Sequence, residues 1–471
     1  MKTVIHWFRR DLRLTDNTAL RAAASAAQAV VPVYVLSEWK ASHRWTGEAR
    51  QQFLCGSLES LARNLATAGG RLIVRAGDPV AALVGLARET GATAICTNRD
   101  PDPHGASVER LLETSLASEG VELRVFKDHA MHERAEVVKN DGAPYRVFTP
   151  YSKAWARLAK TAPAGKPGNL RTPDSITTLP LPTPRHWGLA SFTGTLEAGE
   201  RAARRRMDAF LKGPIFSYAD RRNLPAGTTT SRLSQDLRFG LLSIRELYAR
   251  CVALARETPA RERRGIETFI SELVWREFYF QILHHAPGVL ELEFNAKLRG
   301  LGWHKPGGAF ERWCAGDTGF PIVDAAMRQL LATGFMHNRT RMITAMFLTK
   351  DLHIDWRQGE RWFMQHLTDG EIASNNGGWQ WSAGTGADAA PYFRIQNPWT
   401  QSLRFDPEGT YIRDWVPELR EVPSNRLHAA PAPGQRLAPA YPTPMVDHAR
   451  EREVTLAMFR ADDRTATVAP L

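Results

Sequence analysis

Val4-Ile5-His6-Trp7-Phe8-Arg9-Arg10-Asp11-Leu12-Arg13 sets how the first part of the chain folds. A short apolar run of strand character stops abruptly in charge. Similar runs recur at 29–36, 71–74, 94–97 and 122–126, with helical patterns over 16–27, 47–68, 79–90 and 106–119 between them. Gly69-Gly70, Gly91 and Gly120 fall just past three of those helices, where helix-ending glycines belong. Strand–helix alternation at this spacing predicts a doubly wound, parallel, five-stranded α/β domain over residues 1–128. A nicotinamide domain would follow its first strand with G-x-G-x-x-G. Arg9 to Arg13 stand there instead, so that fingerprint is absent.

Beyond that domain, residues 129–200 read as a long connector, with six prolines between 161 and 187. From 201 to 471 helical patterns dominate, at 201–212, 243–257, 265–285, 321–334, 337–350, 357–367 and, after a second proline-rich stretch, 446–460. The second half is therefore expected to be an all-α domain. The chain's 471 residues suffice for two or three domains. The first apolar run meets Arg9 too soon for a signal peptide, and no run reaches membrane-spanning length. Cys55, Cys96, Cys251 and Cys314 lie far apart, which argues against a disulfide framework, a zinc site or an iron–sulfur cluster. A cytoplasmic protein without metal is expected. Net charge is +11. Residues 1–128 hold 16 Lys/Arg against 14 Asp/Glu, leaving 45 against 36 for the remainder, so a polyanionic partner would meet the later part.

Four segments of that later part carry chemistry. Tyr218-Ala219-Asp220-Arg221-Arg222 precedes a hydroxyl-rich turn, Thr228-Thr229-Thr230-Ser231-Arg232-Leu233-Ser234, suited to phosphate oxygens or to simple helix capping. Glu272, Trp275 and Arg276 share one helix face, an unusual trio for a core stripe, though an exposed ion pair beside a Trp fits as well. In Met336-His337-Asn338-Arg339-Thr340-Arg341-Met342, the two arginines cannot share a face. One should reach solvent or nucleic acid and the other a carboxylate, for which Asp369 is the candidate; a solvated basic turn is the alternative. Asn375-Asn376-Gly377-Gly378-Trp379-Gln380-Trp381 suits neither an amphipathic helix nor a typical strand. Its glycines let backbone approach a flat group, and its amides offer donors and acceptors to a heterocycle edge. Taken singly, each Trp fits core packing as well as chemistry.

Together and in this order, these motifs resemble the photolyase/cryptochrome family along nearly the whole chain, most of all cyclobutane-dimer DNA photolyases of microbial type. Arg9-Arg10-Asp11-Leu12-Arg13-Leu14-Thr15-Asp16-Asn17, Gly319-Phe320-Pro321-Ile322-Val323-Asp324-Ala325-Ala326-Met327-Arg328, His337–Met342 and the stretch from Asn375 to Pro398 carry the likeness.

The resemblance implies light-driven splitting of cyclobutane pyrimidine dimers in UV-damaged DNA by an FAD enzyme, a carbon–carbon lyase acting as a monomer. It assigns Tyr218, Thr230, Ser231, Arg232, Leu233 and Ser234 to the ribityl-phosphate side of FAD. Phe269, Arg276, Asn338, Arg341, Asp369, Gly370, Glu371 and Asn375 would hold or line the flavin, with Asn375 beside N5. Trp379, Trp356 and Trp303 match the family's electron-hopping chain. Glu272, Trp275, Asn338, Met342 and Trp381 match the pocket for the flipped-out lesion, and Arg222, Arg339, Arg394 and Gln401 its DNA-backbone contacts. Two departures stand out. Phe269 replaces a Trp common in relatives. The loop Thr97-Asn98-Arg99-Asp100-Pro101-Asp102-Pro103-His104-Gly105 lacks the Asn-Glu pair of some folate binders and looks closer to the acidic loop of deazaflavin binders. Which second, antenna chromophore binds, 8-hydroxy-5-deazaflavin or methenyltetrahydrofolate, if any, is left open by the sequence. A cryptochrome-like photoreceptor, a photolyase for the (6-4) lesion and an electron-transfer flavoprotein are the rivals. Cryptochromes often lose residues of the Glu272, Trp381 or Asn375 type, (6-4) enzymes carry a His pair where Asn338 and Met342 stand, and the basic second half argues against a protein without DNA.

Overall fold

The structure is a computed structural model that describes residues 2–36, 43–168, 170–389, 391 and 393–465. Strands β1 (Thr3–Phe8), β2 (Ala29–Leu36), β3 (Ile73–Ala76), β4 (Ala94–Asn98) and β5 (Glu122–Phe126) form one parallel sheet in the order β3-β2-β1-β4-β5. Side chains alternate along β1. Val4 and Phe8 pack toward the helices Thr18–Ala26 and Glu48–Thr67, whereas Ile5 and Trp7 face Pro79–Thr90 and Pro103–Ala117. Apolar residues on both faces explain why the strands read as near-continuous hydrophobic runs. The expected doubly wound sheet is present, and Gly69, Gly91 and Gly120 all adopt positive φ.

The strand expected at 71–74 begins two residues later. The Arg71 N–H donates to the Thr172 hydroxyl at 3.0 Å and its guanidinium to the Ile176 carbonyl at 2.7 Å. The proline-rich connector thereby lies along edge strand β3, where Thr178 and Leu179 hydrogen-bond the backbone of Val74. It occupies an edge that would otherwise invite pairing with another chain.

Contacts divide the chain into two compact units, residues 1–145, 149–219 and 230–285, and residues 146–148, 220–229 and 286–471. The boundaries at 128 and 200 suggested by composition do not appear in this division. The helices Glu200–Lys212, Ile244–Glu257 and Ala260–His285 belong to the first unit and share a core with the sheet through Met207, Phe210, Leu247, Ile266 and Phe269. A buried ionic cluster ties them down. Arg13 donates to both carboxylate oxygens of Asp128, at 2.8 and 2.9 Å, and Arg245 reaches Asp128 at 2.7 Å and Asp16 at 2.9 Å. At Gly240, with φ +61°, a Cβ would fall 1.9 Å from the Arg10 carbonyl oxygen, so only glycine admits this approach of the loop after β1.

The second unit is helical and is built on Trp313, Phe320, Phe347, Trp356, Trp379 and Tyr411. Asp324 buries its carboxylate at the start of helix Pro321–Thr333, accepting from the Thr318 N–H at 2.7 Å, the Gly319 N–H at 3.0 Å and the Tyr441 hydroxyl. Helix Asn338–Met346 ends in a π turn, Phe347–Asp351. Helices Gly308–Ala315 and Pro398–Phe405 here, and Phe148–Arg157, which lies in the first unit from Thr149 on, add to those expected. Among the described residues no helix is long and apolar enough to cross a membrane, and no group of three His, Cys, Asp or Glu is placed to hold a metal ion.

Removing one partner of a buried ion network strands the others. Arg245→Ala should therefore lose about 3–5 kcal/mol of stability, measured as a lower denaturation midpoint. A midpoint equal to wild type would show that the cluster does not hold the helices.

Candidate functional site

The candidate residues fall into two sets, one on each compact unit. In the first unit, helix Ala260–His285 presents Glu272, Trp275 and Arg276 half-buried, as the i, i+3, i+4 spacing requires. Trp275 packs against Phe278 and Tyr279 at ring distances of 5.5 and 5.7 Å. Arg276 turns to the chain after β5, donating to the His129 carbonyl at 2.9 Å and meeting its Nε2 at 2.6 Å. Phe269 is buried edge-on to Tyr218, with centroids 5.5 Å apart. The Thr230–Ser234 turn takes a left-handed step at Arg232, φ +51°, and its Ser231 hydroxyl accepts from the Leu233 N–H. Leu233 is buried, Ser234 is exposed, and Thr230 and Ser231 lie between those extremes, so hydroxyls stand at an accessible turn. Sequence reasoning passed over Glu277. This buried carboxylate accepts from the Trp155 indole at 2.6 Å and the His132 N–H at 3.2 Å, bracing the helix from behind.

In the second unit, His337 caps helix Asn338–Met346 by accepting the Arg339 N–H at Nδ1. Asn338, Arg341 and Met342 fall on its open stripe, while Thr340, Ile343 and Thr344 are buried. The two arginines diverge as their spacing requires. Arg341 pairs with Asp369, at 2.9 Å to Oδ2, and its Nε donates to the Met336 carbonyl. Arg339 donates to Asn223 Oδ1 at 2.7 Å and lies over the Phe405 ring. Burial, and then the charges of Arg222 and Arg404, push the Arg339 guanidinium below its ordinary pKa, which marks a local excess of positive charge. Arg404 was not singled out from sequence; its place one helical turn beyond Thr400 gave no motif. Arg394 is exposed and Gln401 half-buried.

The Asn375–Trp381 stretch is corrected by the structure. It lies in a helix, Ile372–Ala383, that begins at the buried Glu371 just after Asp369-Gly370. Its alternation of glycine, amide and indole hid the period of 3.6, and packing overrode the weak propensity of Gly377-Gly378. Residues two apart point to different sides, so Trp379 is buried and Trp381 half-exposed. Ser374, Asn375, Gly378 and Trp381 share the open face. A Cβ at Gly378 would meet nothing within 4 Å, which leaves a flat shelf between an amide and an indole. The Asn375 amide donates to the Glu360 carbonyl at 3.0 Å, fixing which end of the side chain is N–H. An acid, an ion-paired guanidinium, an oriented amide and a bare glycine suit the polar edge and flat face of a ring such as a flavin.

The three tryptophans also have distinct settings. Trp379 packs on Phe363, and its indole nitrogen finds no partner among the described residues. A Cβ on Gly359 would lie 2.0 Å from the Trp379 ring, so that ring seats on the helix Trp356–His366 one turn from Trp356. Trp303 is half-buried; its neighbour His304 bridges to His353 and Ile354, just ahead of Trp356. Gly359→Ala should force the Trp379 ring aside at a cost of about 1–3 kcal/mol, seen as a lower unfolding temperature with altered tryptophan fluorescence. An unchanged pair of readings would refute the seating.

Two family models match the chain, one described as DNA photolyase over residues 4–168 and one as the FAD binding domain of DNA photolyase over 269–461. A protein of Halobacterium salinarum named deoxyribodipyrimidine photo-lyase is 40% identical, over 97% of this chain and 98% of its own. Among solved structures, a bacterial class III photolyase from Agrobacterium tumefaciens superposes with a TM-score of 0.91 at 38% identity, covering 98% of each chain. A Synechocystis cryptochrome superposes with a TM-score of 0.89 at 30% identity, covering 97% of this chain and 99% of its own.

Proposed function

The chain belongs to the DNA photolyase family, and on that footing we propose that it is an FAD-dependent lyase that repairs cyclobutane pyrimidine dimers in DNA under light. Similarity over nearly the whole chain to proteins named deoxyribodipyrimidine photo-lyase carries this reading. A fold shared with a cryptochrome does not by itself choose repair over light sensing. The retention of Glu272, Trp275, Met342 and Trp381 supports repair, and Asn338 and Met342 stand where a (6-4) enzyme would carry histidines.

In this reading Tyr218 and the Thr230–Ser234 turn bind the phosphate side of FAD, and Phe269 gives it an apolar wall. Asn338, Arg341, Asp369, Gly370, Glu371 and Asn375 line the ring. Bound FAD supplies light-driven electron donation. The chain's own residues orient the substrate around that event. Trp275 and Trp381 offer indole faces on which the flipped dimer stacks. Glu272 hydrogen-bonds the pyrimidine edge where negative charge develops, and a fixed partner there gains most as the charge appears. Arg222, Arg339, Arg394 and Gln401 meet the DNA backbone, with Arg404 adding charge to the same group. Any antenna chromophore, of deazaflavin or folate type, is assigned by resemblance to the loop 97–105. The protein is expected to act as a monomer in the cytoplasm.

The test is to illuminate reduced, FAD-loaded protein with an oligonucleotide carrying one thymine dimer and follow the restored thymine absorbance. Light-dependent recovery supports repair; no recovery from loaded protein would turn the assignment toward light sensing. In the same assay Glu272→Ala should slow ring splitting about tenfold, the worth of one hydrogen bond to a charged group of roughly 1.5 kcal/mol, while FAD content holds. An unchanged yield would remove Glu272 from its role.

A further inference from the structure

Trp356 is wholly buried, and its indole N–H donates to Glu293 Oε1 at 3.2 Å. The carboxylate is buried too, and its other oxygen lies 2.9 Å from Arg357 Nη2. The same guanidinium sits over the Trp356 ring, 4.5 Å from its centroid. Asp355 takes a second bond from Arg357, at 3.0 Å, and caps the helix on whose first turn Trp356 stands. Two positive influences therefore press on this indole, the guanidinium over its face and the N-terminal end of the helix dipole. Both oppose removal of an electron from the ring.

We propose that Glu293 offsets those influences and makes Trp356 the step that draws positive charge outward from Trp379. This rests on the reading that Trp379, Trp356 and Trp303 relay electrons to FAD. Each transfer moves one electron inward. Trp379 gives one to photoexcited oxidised FAD, Trp356 re-reduces Trp379, Trp303 re-reduces Trp356, and a thiol reductant in solution restores Trp303. No bond breaks, and the indole proton stays in its hydrogen bond to Glu293. Trp379 lacks any such anion at its nitrogen among the described residues, so the buried carboxylate, by outweighing the guanidinium and the helix dipole at Trp356, makes positive charge more favourable there than on Trp379. Burial alone would raise the Glu293 pKa. Its bonds to Arg357 and to its own backbone, with the Trp356 N–H, outweigh that and keep it ionised.

The experiment compares wild type, Glu293→Gln, Glu293→Gln/Arg357→Gln and Trp379→Phe, each loaded with oxidised FAD and checked for flavin content and folded far-UV dichroism. Photoreduction yield in thiol and the lifetime of the tryptophan-radical absorbance after a flash are the readouts. Glu293→Gln should cut the yield roughly tenfold, equivalent to about 1.4 kcal/mol, with faster radical decay. The double variant, which removes the guanidinium as well, should recover most of it; a merely structural role would leave it as poor or worse. In flavin-free protein the Trp356 indole N–H resonance should move in Glu293→Gln. Wild-type yield and radical lifetime in Glu293→Gln, with photoreduction abolished in Trp379→Phe, would overturn the proposal and leave the relay intact. Normal photoreduction in Trp379→Phe would overturn the relay and this proposal with it.

Discussion

The first unit depends on a buried cluster of two guanidiniums and two carboxylates, Arg13, Arg245, Asp16 and Asp128. Their formal charges cancel, and every carboxylate oxygen is engaged by a guanidinium, a hydroxyl or a backbone N–H. Such a cluster gains little over an apolar core of the same size, because each ion was hydrated in the unfolded chain. Its contribution is registry. Asp16 can meet Arg245 only when the loop after β1 takes its left-handed step, at φ +53°, and Asp128 accepts both arginines only when β5 has delivered the chain to the same point. Burial pushes the Asp128 carboxyl upward, and the two arginines reverse this and hold it below the usual range.

Composition did not reveal the resulting division of labour. The helix bearing Glu272 and Trp275 is fixed to the sheet domain's core; Glu277 anchors its reverse side to His132 and Trp155, and Arg276 ties it to His129. The helices bearing Asn338, Arg341 and Asn375 draw their rigidity from the second core. Side chains proposed to hold a cofactor thus stand on well-packed helices, where orientation is less easily lost than on loops.

The tryptophans show the same economy. Identical indoles acquire different chemistry from what lies at the nitrogen and over the face. Trp379 is enclosed by aromatic rings and Gly359, Trp356 by a carboxylate and a guanidinium, and Trp303 by the C-terminal helix through Phe459. None of these neighbours is adjacent in sequence to its indole except Arg357.

Local elements and their chemistry were legible in the chain before any coordinates. Apolar runs of strand length separated by amphipathic helices dictated a parallel sheet, and i, i+3, i+4 spacing put Glu272, Trp275 and Arg276 on one face and split Arg339 from Arg341, because these follow from backbone periodicity alone. The motif order likewise identified the family. That Asn375 to Trp381 is helical came only with packing, since a stretch rich in glycine and amide has no strong local preference and takes the form its neighbours stabilise. Packing also settled which carboxylates matter. Glu277 and Glu293 look like ordinary acids in the chain, and only burial beside particular N–H groups, contributed by residues 63 to 146 positions away, gives them their roles. Electrostatics in a folded interior depends on three-dimensional distance and on loss of solvent, and neither is written in local sequence.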